Sequence, residues 1–303
     1  MSGPRNDAEV APWIASLGLP YLVDLHLHFL PDRMQQKVWS FFDEQARGHY
    51  GTAWPIQYRV SEEDRLAVLR ELNVGVFAPL VYPHKAGMGA WLTEWVLDFA
   101  ARTPGAVPTA TIFAEPDVTS YLGAALAAGA RCVKAHVQVG GWDPRDPLLD
   151  EAWGMIADAG VPVVIHCGHG PARGAHTGLD VFEEVLRRHP TLTAVLAHAG
   201  MPEIGVALDL AERYPRVHLD TTMVGVAFTA GMSPLPPDWL DRLASLPDRI
   251  VLGTDFPSIP YPYAEQLAAI AGWAEADDRL GELFLRGVLH DNPSRLLRLD
   301  TSA

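Results

Sequence analysis

The sequence LVDLHLH, at positions 22–28, decides the fold, because a buried strand ends there in two closely spaced histidines. Apolar runs with few polar interruptions are typical of strands that are buried on both faces of a parallel sheet. His26 and His28 are two positions apart, so their rings project from the same face of the strand. Reactive side chains at the carboxyl end of such a strand are typical of α/β barrels. This stretch therefore predicts a barrel strand whose last residues carry chemistry.

Seven further runs of the same kind follow, separated by amphipathic segments that are long enough for helices. The eight predicted strands are Leu22–His28, Val74–Leu80, Val107–Phe113, Cys132–Val137, Pro162–Cys167, Leu192–His198, Arg216–Thr221 and Ile250–Asp255. Eight alternating strand and helix units without a composition break predict an α/β fold, a closed (β/α)8 TIM barrel in a single domain. An open doubly wound sheet is the second interpretation, but no glycine-rich phosphate loop opens a helix.

The chain divides into an N-terminal extension, residues 1–20, and the barrel, residues 21–303. We expect disorder only in the first dozen residues and the last few. A long insertion after the first strand, Phe29–Val60, spans 32 residues and is rich in aromatic side chains. Long connections at the carboxyl end of a barrel strand are usually functional, so we interpret this segment as a wall or lid over a pocket. The alternative is a surface for dimerisation.

Acidic residues outnumber basic ones by 37 to 23, which gives a formal net charge of −14. Such a surface repels phosphate backbones and anionic lipids, so we expect a small-molecule substrate and no nucleic-acid or membrane partner. No apolar run reaches the roughly 20 residues that a bilayer span needs, and the N-terminus lacks the apolar core of a signal peptide. The nine tryptophans are compatible with a homodimer.

Only two cysteines occur, Cys132 and Cys167, which is too few for a disulfide scaffold. Their strand parity places the two thiols on opposite faces of the sheet. We therefore expect reduced thiols and a cytoplasmic protein.

Five residues that bind metals or exchange protons fall at the carboxyl ends of four predicted strands. They are His26, His28, His166, His198 and Asp255. Imidazole and carboxylate donors suit zinc, iron and manganese. The pattern predicts a divalent metal at one mouth of the barrel, with Zn²⁺ first and Mn²⁺ or Fe²⁺ as alternatives.

These motifs together resemble the amidohydrolase superfamily: the His-x-His of the first strand, the single histidines of the fifth and sixth strands, and GTDFP at Gly253–Pro257. The closing HDNPSRLLRL resembles the end of its aminocarboxymuconate-semialdehyde decarboxylase-like branch. The resemblance covers about Tyr21 to Leu299 and implies a metal-dependent enzyme on the predicted barrel.

The resemblance also implies roles for the matching residues. His26, His28, His166 and Asp255 match the ligands of a single metal. His198 matches a residue that acts as a base or polarises the substrate, and Asp255 also matches one that takes a proton from the metal-activated water. His198 and Asp255 are therefore the implied catalytic residues.

Lys134, near the end of the fourth strand, matches a lysine that bridges two metals when carboxylated, with His198 then a ligand. A binuclear site is therefore an alternative to the single metal. Asp24 shares parity with the two first-strand histidines, so it is a candidate to hydrogen-bond a ligand imidazole. Four further residues are candidates for substrate contact: His136, His169, Arg173 and Arg59.

Hydrolysis is the first functional interpretation: a metal-activated water attacks a C–O or C–N bond of a small carboxylated or cyclic substrate. Nonoxidative decarboxylation by a carboxy-lyase of the same branch is the alternative, since the same residues serve both reactions. A barrel that binds a ligand without catalysis is the third interpretation.

Overall fold

Eight parallel strands alternate with helices in the computed structural model, which describes residues 2–299. The strands are β1 Leu22–Leu27, β2 Val74–Pro79, β3 Thr109–Thr111, β4 Cys132–His136, β5 Val163–His166, β6 Ala194–Leu196, β7 Val217–Asp220 and β8 Ile250–Val251. The order β3-β4-β5-β6-β7-β8 forms one parallel sheet, and β1 pairs with β2. Each predicted strand contains one observed strand.

Two contacts close these sheets into a cylinder. Phe77 of β2 forms a parallel bridge with Ala106, just before β3. On the other side, the Leu25 N–H of β1 donates to the Leu252 carbonyl beyond β8 at 2.9 Å. The predicted (β/α)8 barrel is therefore confirmed.

Helices surround the cylinder. They are α1 Val10–Ser16, α2 Asp32–Tyr50, α3 Glu62–Glu71, α4 Gly89–Arg102, α5 Val118–Ala127, α6 Val137–Gly140, α7 Pro147–Ala159, α8 Leu179–Arg188, α9 Ile204–Arg213, α10 Trp239–Ser245, α11 Tyr263–Ala276, α12 Gly281–Arg286 and α13 Asn292–Leu296. Ser61 caps α3, because its hydroxyl accepts a hydrogen bond from the Asp64 N–H at 3.1 Å. Within residues 2–299, none of these helices has the length and apolar character that a bilayer span requires.

The apolar core has two layers, one inside the cylinder and one between the strands and the helices. Cys132 packs in the inner layer with Val164 and Val195. Cys167 packs in the outer layer. Both are buried free thiols, so the parity of the strands placed them correctly.

The segment after β1 is mainly helical, which the sequence analysis did not predict. Helix α2 begins after Pro31 and ends at Gly51, whose φ of 76° is a left-handed conformation that glycine adopts without strain. Met34, Val38 and Phe41 recur at helical spacing and line one cavity. The aromatic composition of Phe29–Val60 drew attention to the segment, but the period of its apolar residues carried the helical signal.

The N-terminal extension packs on the barrel, so the expected disorder of the first dozen residues is wrong. Val10 and Ile14 of α1 are fully buried in the outer layer of the core. The Asp7 carboxylate accepts hydrogen bonds from the Tyr58 hydroxyl at 2.5 Å and from the Ala264 N–H at 3.0 Å. The disorder expected for the last few residues falls on positions 300–303, outside the described residues.

Candidate active site

A cavity of about 1210 Å³ opens at the carboxyl ends of the barrel strands. All five residues singled out at the strand ends line it: His26, His28, His166, His198 and Asp255. The histidines are largely buried, and the Asp255 side chain is 20% exposed. Residues from four strands therefore converge on the floor of one cavity, as predicted.

The His26 ring is held in one tautomer. Its Nδ1 lies 2.8 Å from Asp220 Oδ2, and a carboxylate only accepts, so Nδ1 carries the proton. Its Nε2 therefore presents a lone pair to the cavity floor. Burial and the Lys134 ammonium lower the pKa of His26 to about 3, so the ring is neutral. A neutral imidazole with its second nitrogen on a carboxylate is the usual state of a metal ligand.

His28 and Asp255 face each other in a way that calls for a cation. His28 Nδ1 lies 2.7 Å from the Leu80 carbonyl, which only accepts, so this nitrogen carries a proton. Its Nε2 lies 2.9 Å from Asp255 Oδ1, a contact that needs either a proton or a metal ion between the two atoms. Although burial raises the pKa of Asp255, the bond from His28 outweighs it and holds that pKa well below its usual range.

His26, His198 and Asp255 offer donor atoms that all lie within 4.8 Å of one another. Within residues 2–299 this is the group of histidine, cysteine and acidic side chains whose donors approach closely enough for a metal. The implied mononuclear set included His166 in place of His198. The His166 Nε2–H donates to the Gly170 carbonyl at 2.8 Å, which leaves Nδ1 as its free lone pair. The structure thus places a donor atom of His198, rather than one of His166, within 4.8 Å of the donor atoms of His26 and Asp255.

Asp220, which ends β7, also belongs to the site but was not among the predicted site residues. Its Oδ2 binds the His26 ring, and its Oδ1 accepts from the His198 backbone N–H at 2.8 Å. Burial alone would raise the pKa of Asp220, but His26 and His198 lower it to about 2. The signal was present, since Asp220 is the next-to-last residue of the predicted strand Arg216–Thr221.

Asp24 does not contact a ligand imidazole, contrary to the sequence-based expectation. Strand β1 has an irregular register between Asp24 and Leu27, which breaks the alternation assumed for Asp24 and His26. The Asp24 carboxylate accepts instead from the Thr254 hydroxyl at 2.6 Å and the Tyr263 hydroxyl at 2.9 Å. Its role is to fix the backbone around the site.

Lys134 is fully buried at the floor. Its Nζ lies 2.9 Å from His26 Nε2, on the lone pair that a metal would use. Burial lowers the pKa of Lys134 to about 8. The lysine is therefore positioned beside the candidate ligands, as its match in the binuclear relatives implies.

The four candidates for substrate contact separate into two groups. His136, His169 and Arg173 line the cavity. His136 stacks on His166 with ring centroids 4.3 Å apart. Arg59 is not part of the cavity lining, because its guanidinium pairs with Asp43 at 2.5 Å on the exposed side of α2. The structure therefore places Arg59 away from a bound substrate.

Close backbone approach explains the glycine of GTDFP. A Cβ atom on Gly253 would lie 2.8 Å from the His26 Cβ and 2.5 Å from the Thr222 hydroxyl oxygen. Glycine is needed here because the chain that follows β8 passes close to His26 and Thr222.

The charge of the cavity lining is opposite to that of the whole protein. Its cationic side chains are Arg33, Lys37, Lys85 and Arg173. Asp255 is the acidic side chain of the lining, on a chain whose net charge is −14. The cavity therefore favours an anion next to a site that itself needs a cation.

A parallel barrel with imidazoles and a carboxylate at the carboxyl ends of its strands is the arrangement of a metal-dependent barrel enzyme. The particular family follows from comparison: residues 23–299 match the Amidohydrolase (Amidohydro_2) family model. The chain therefore belongs to the amidohydrolase family, whose members are metal-dependent hydrolases or decarboxylases. This confirms the predicted class of enzyme.

Solved structures share the fold at low sequence identity. A TIM-barrel protein from Bordetella bronchiseptica is 19% identical with a TM-score of 0.66, covering 92% of this chain and 98% of its own. The 5-carboxyvanillate decarboxylase LigW from Sphingomonas paucimobilis is 13% identical with a TM-score of 0.60, covering 92% and 99%. A probable 2-pyrone-4,6-dicarboxylic acid hydrolase from Acinetobacter baumannii is 14% identical with a TM-score of 0.58, covering 92% and 99%. A search among curated proteins finds no match.

Proposed function

We propose that this protein hydrolyses a C–O or C–N bond of a small carboxylated substrate, using one Zn²⁺. The ion is held by His26, His28 and Asp255, together with either His198 or His166. The observation that carries the proposal is the close group of donor atoms from His26, His198 and Asp255, which all lie within 4.8 Å of one another. Imidazole nitrogens and carboxylate oxygens are usual donors for zinc. Zinc supplies a Lewis acid and lowers the pKa of a bound water to about 7.

The cationic lining supports a carboxylated substrate. Arg173 follows β5, on the same loop as His169, and lines the cavity. A guanidinium binds a carboxylate through two parallel hydrogen bonds. Both LigW and the probable dicarboxylic acid hydrolase are named for carboxylated compounds, which supports the same class of substrate here.

The chain's own residues divide the remaining work. Burial lowers the pKa of His198, so its ring is neutral at neutral pH and can accept a proton. Asp255 is ionised and can take the proton of an attacking water. Asp220 orients both the His26 ring and the His198 backbone, so it is a positioning residue.

The test compares the turnover of the zinc-loaded enzyme with the turnover of the enzyme after its metal has been removed. Lactones and amides that carry a carboxylate are incubated with the zinc-loaded enzyme, and hydrolysis is followed alongside CO2 release. We expect hydrolysis that stops on chelation and returns with zinc. CO2 release from a carboxylated aromatic acid without hydrolysis would assign the carboxy-lyase reaction instead.

The double variant His26→Ala/His28→Ala tests the site itself. It removes two imidazole donors, so we expect loss of bound zinc, measured by elemental analysis, while circular dichroism shows a retained fold. The matched control His189→Ala changes a histidine that pairs with Asp150 outside the cavity, and it should keep its zinc. Full zinc occupancy in the double variant would contradict the assignment.

A further inference from the structure

Lysine is rare in this chain, and each lysine lies either in the lining of the cavity or in contact with a residue of the lining. The 23 basic residues include three lysines, at positions 37, 85 and 134. Lys134 contacts His26 at the floor, whereas Lys37 and Lys85 are exposed side chains in the lining and therefore lie at the mouth. The surface elsewhere uses arginine.

The two mouth lysines come from different segments that line the same cavity. Lys37 lies on α2, and Lys85 lies in the connection between β2 and α4. His84, next to Lys85 in the chain, also lines the cavity, and burial and the ammonium groups of both lysines lower its pKa. Arg33, one turn before Lys37, also lines the cavity.

This cationic cluster has no acidic partner among the described residues. Within residues 2–299, neither mouth lysine forms an ion pair with a carboxylate. Several arginines elsewhere are paired, as Arg242 is with Asp209 and Glu212. The protein as a whole has a net charge of −14, so a cluster of positive side chains without carboxylate partners is a candidate site for an external anion.

An apolar wall accompanies this cluster in the lining. It is formed by Val38, Phe41, Phe42, Trp54, Met88 and Trp91. Trp91 is 47% exposed, which is unusual for the largest apolar side chain. An engineered cavity of about 150 Å³ holds a benzene ring. A single-ring substrate on the metal would therefore leave most of a 1210 Å³ cavity, including the lysines, without contact.

We infer that the substrate is an elongated amphipathic molecule: its reactive group reaches the floor, its apolar body lies along the inner face of α2, and a remote anionic group binds Lys37 and Lys85. This inference rests on the proposed function for the position of the reactive group. The remote group can be a carboxylate or a phosphate, because both bind an ammonium pair.

Binding of matched acids to the zinc-loaded enzyme tests the inference. The probes are the dicarboxylates pimelate, sebacate and dodecanedioate and the monocarboxylates heptanoate, decanoate and dodecanoate, followed by fluorescence of the cavity tryptophans. We expect one dicarboxylate to bind about fivefold more tightly than the monocarboxylate of equal length, because its second group reaches the lysines. The difference should shrink as salt screens the charges. Terminal phosphate monoesters of the same chain lengths distinguish the two anions.

The variant Lys37→Gln/Lys85→Gln should abolish this difference while leaving monocarboxylate binding unchanged. Arg47→Gln is the matched control, since Arg47 is an exposed cation of the same helix outside the cavity lining. Acetylation of the lysines, read by peptide mass spectrometry, should be slower at Lys37 and Lys85 when the preferred dicarboxylate is bound.

Equal affinity for mono- and dicarboxylates at every length, or a difference that survives in the double variant, would overturn the inference. These readouts do not require turnover. Absence of zinc-dependent turnover would instead remove the proposed function and leave the binding result standing.

Discussion

Asp220 organises the floor of the cavity at the scale of single residues. One carboxylate binds the His26 ring through Oδ2 and the His198 backbone through Oδ1. His198 has a φ of 56°, a left-handed conformation that is uncommon outside glycine. The hydrogen bond that the His198 N–H donates to Asp220 helps to hold this backbone conformation. The conformation in turn directs the His198 ring toward the other donors.

Asp220→Asn should lower zinc affinity by about 10- to 100-fold, the usual cost of losing a partner behind a metal-binding histidine. The amide oxygen can accept from His26 or from the His198 backbone, and its NH2 group then faces a donor. Competition with a chromophoric chelator measures the affinity. Asp209→Asn, on an exposed carboxylate, is the control; an affinity equal to that of the parent would contradict this role.

The sequence predicted the donors better than their supports. His26, His28, His198 and Asp255 were marked by their place at strand ends, which depends on local pattern. The contacts of Asp220 and Asp24 depend on register across the barrel, and the irregular register of β1 could not be deduced from alternation. The predicted strands also ran too long at β6 and β8, and both predictions included a residue whose backbone is left-handed, His198 and Asp255.

At the scale of elements, α2 forms the wall of the cavity and is fastened by a buried arginine. Arg65 of α3 is 1% exposed and lies over the rings of Phe29 and Trp39, at 5.2 and 5.5 Å from their centroids. Its guanidinium also donates to Gln35 Oε1 at 2.8 Å. The composition of the segment predicted that it covers a pocket. It predicted neither the helical form of the segment nor its contacts with Arg65.

Arg65→Ala should loosen α2, because a hydrogen bond to a charged group contributes about 1.5–3 kcal/mol. We expect amide exchange of residues 35–46 to accelerate at least about tenfold, with β4 and β5 unchanged. Hydrogen exchange with mass spectrometry measures this. Arg70→Ala, an exposed position of the same helix, should show parent-like exchange; unchanged exchange in the Arg65 variant would show that α2 is held by other contacts.

In the folded molecule as a whole, the barrel holds the donor atoms of His26, His198 and Asp255 close together, and a metal ion bound to them would stabilise the folded state. Ligand binding to the folded state stabilises it by about 2.7 kcal/mol at a hundredfold excess over Kd. We therefore expect chelation to lower the Tm by about 5 °C, measured by scanning calorimetry at fixed pH and ionic strength. Zinc should restore the Tm and magnesium should not, since magnesium prefers oxygen ligands. An unchanged Tm would argue against a metal held by these residues.

The contact of Asp7 with Tyr58 links the N-terminal extension to the segment between α2 and α3. Tyr58 lies four residues after Trp54 of the apolar wall, and its hydroxyl also accepts the Tyr263 N–H at 2.5 Å. Residues that lie outside the cavity lining can therefore support the segment that carries part of its apolar wall.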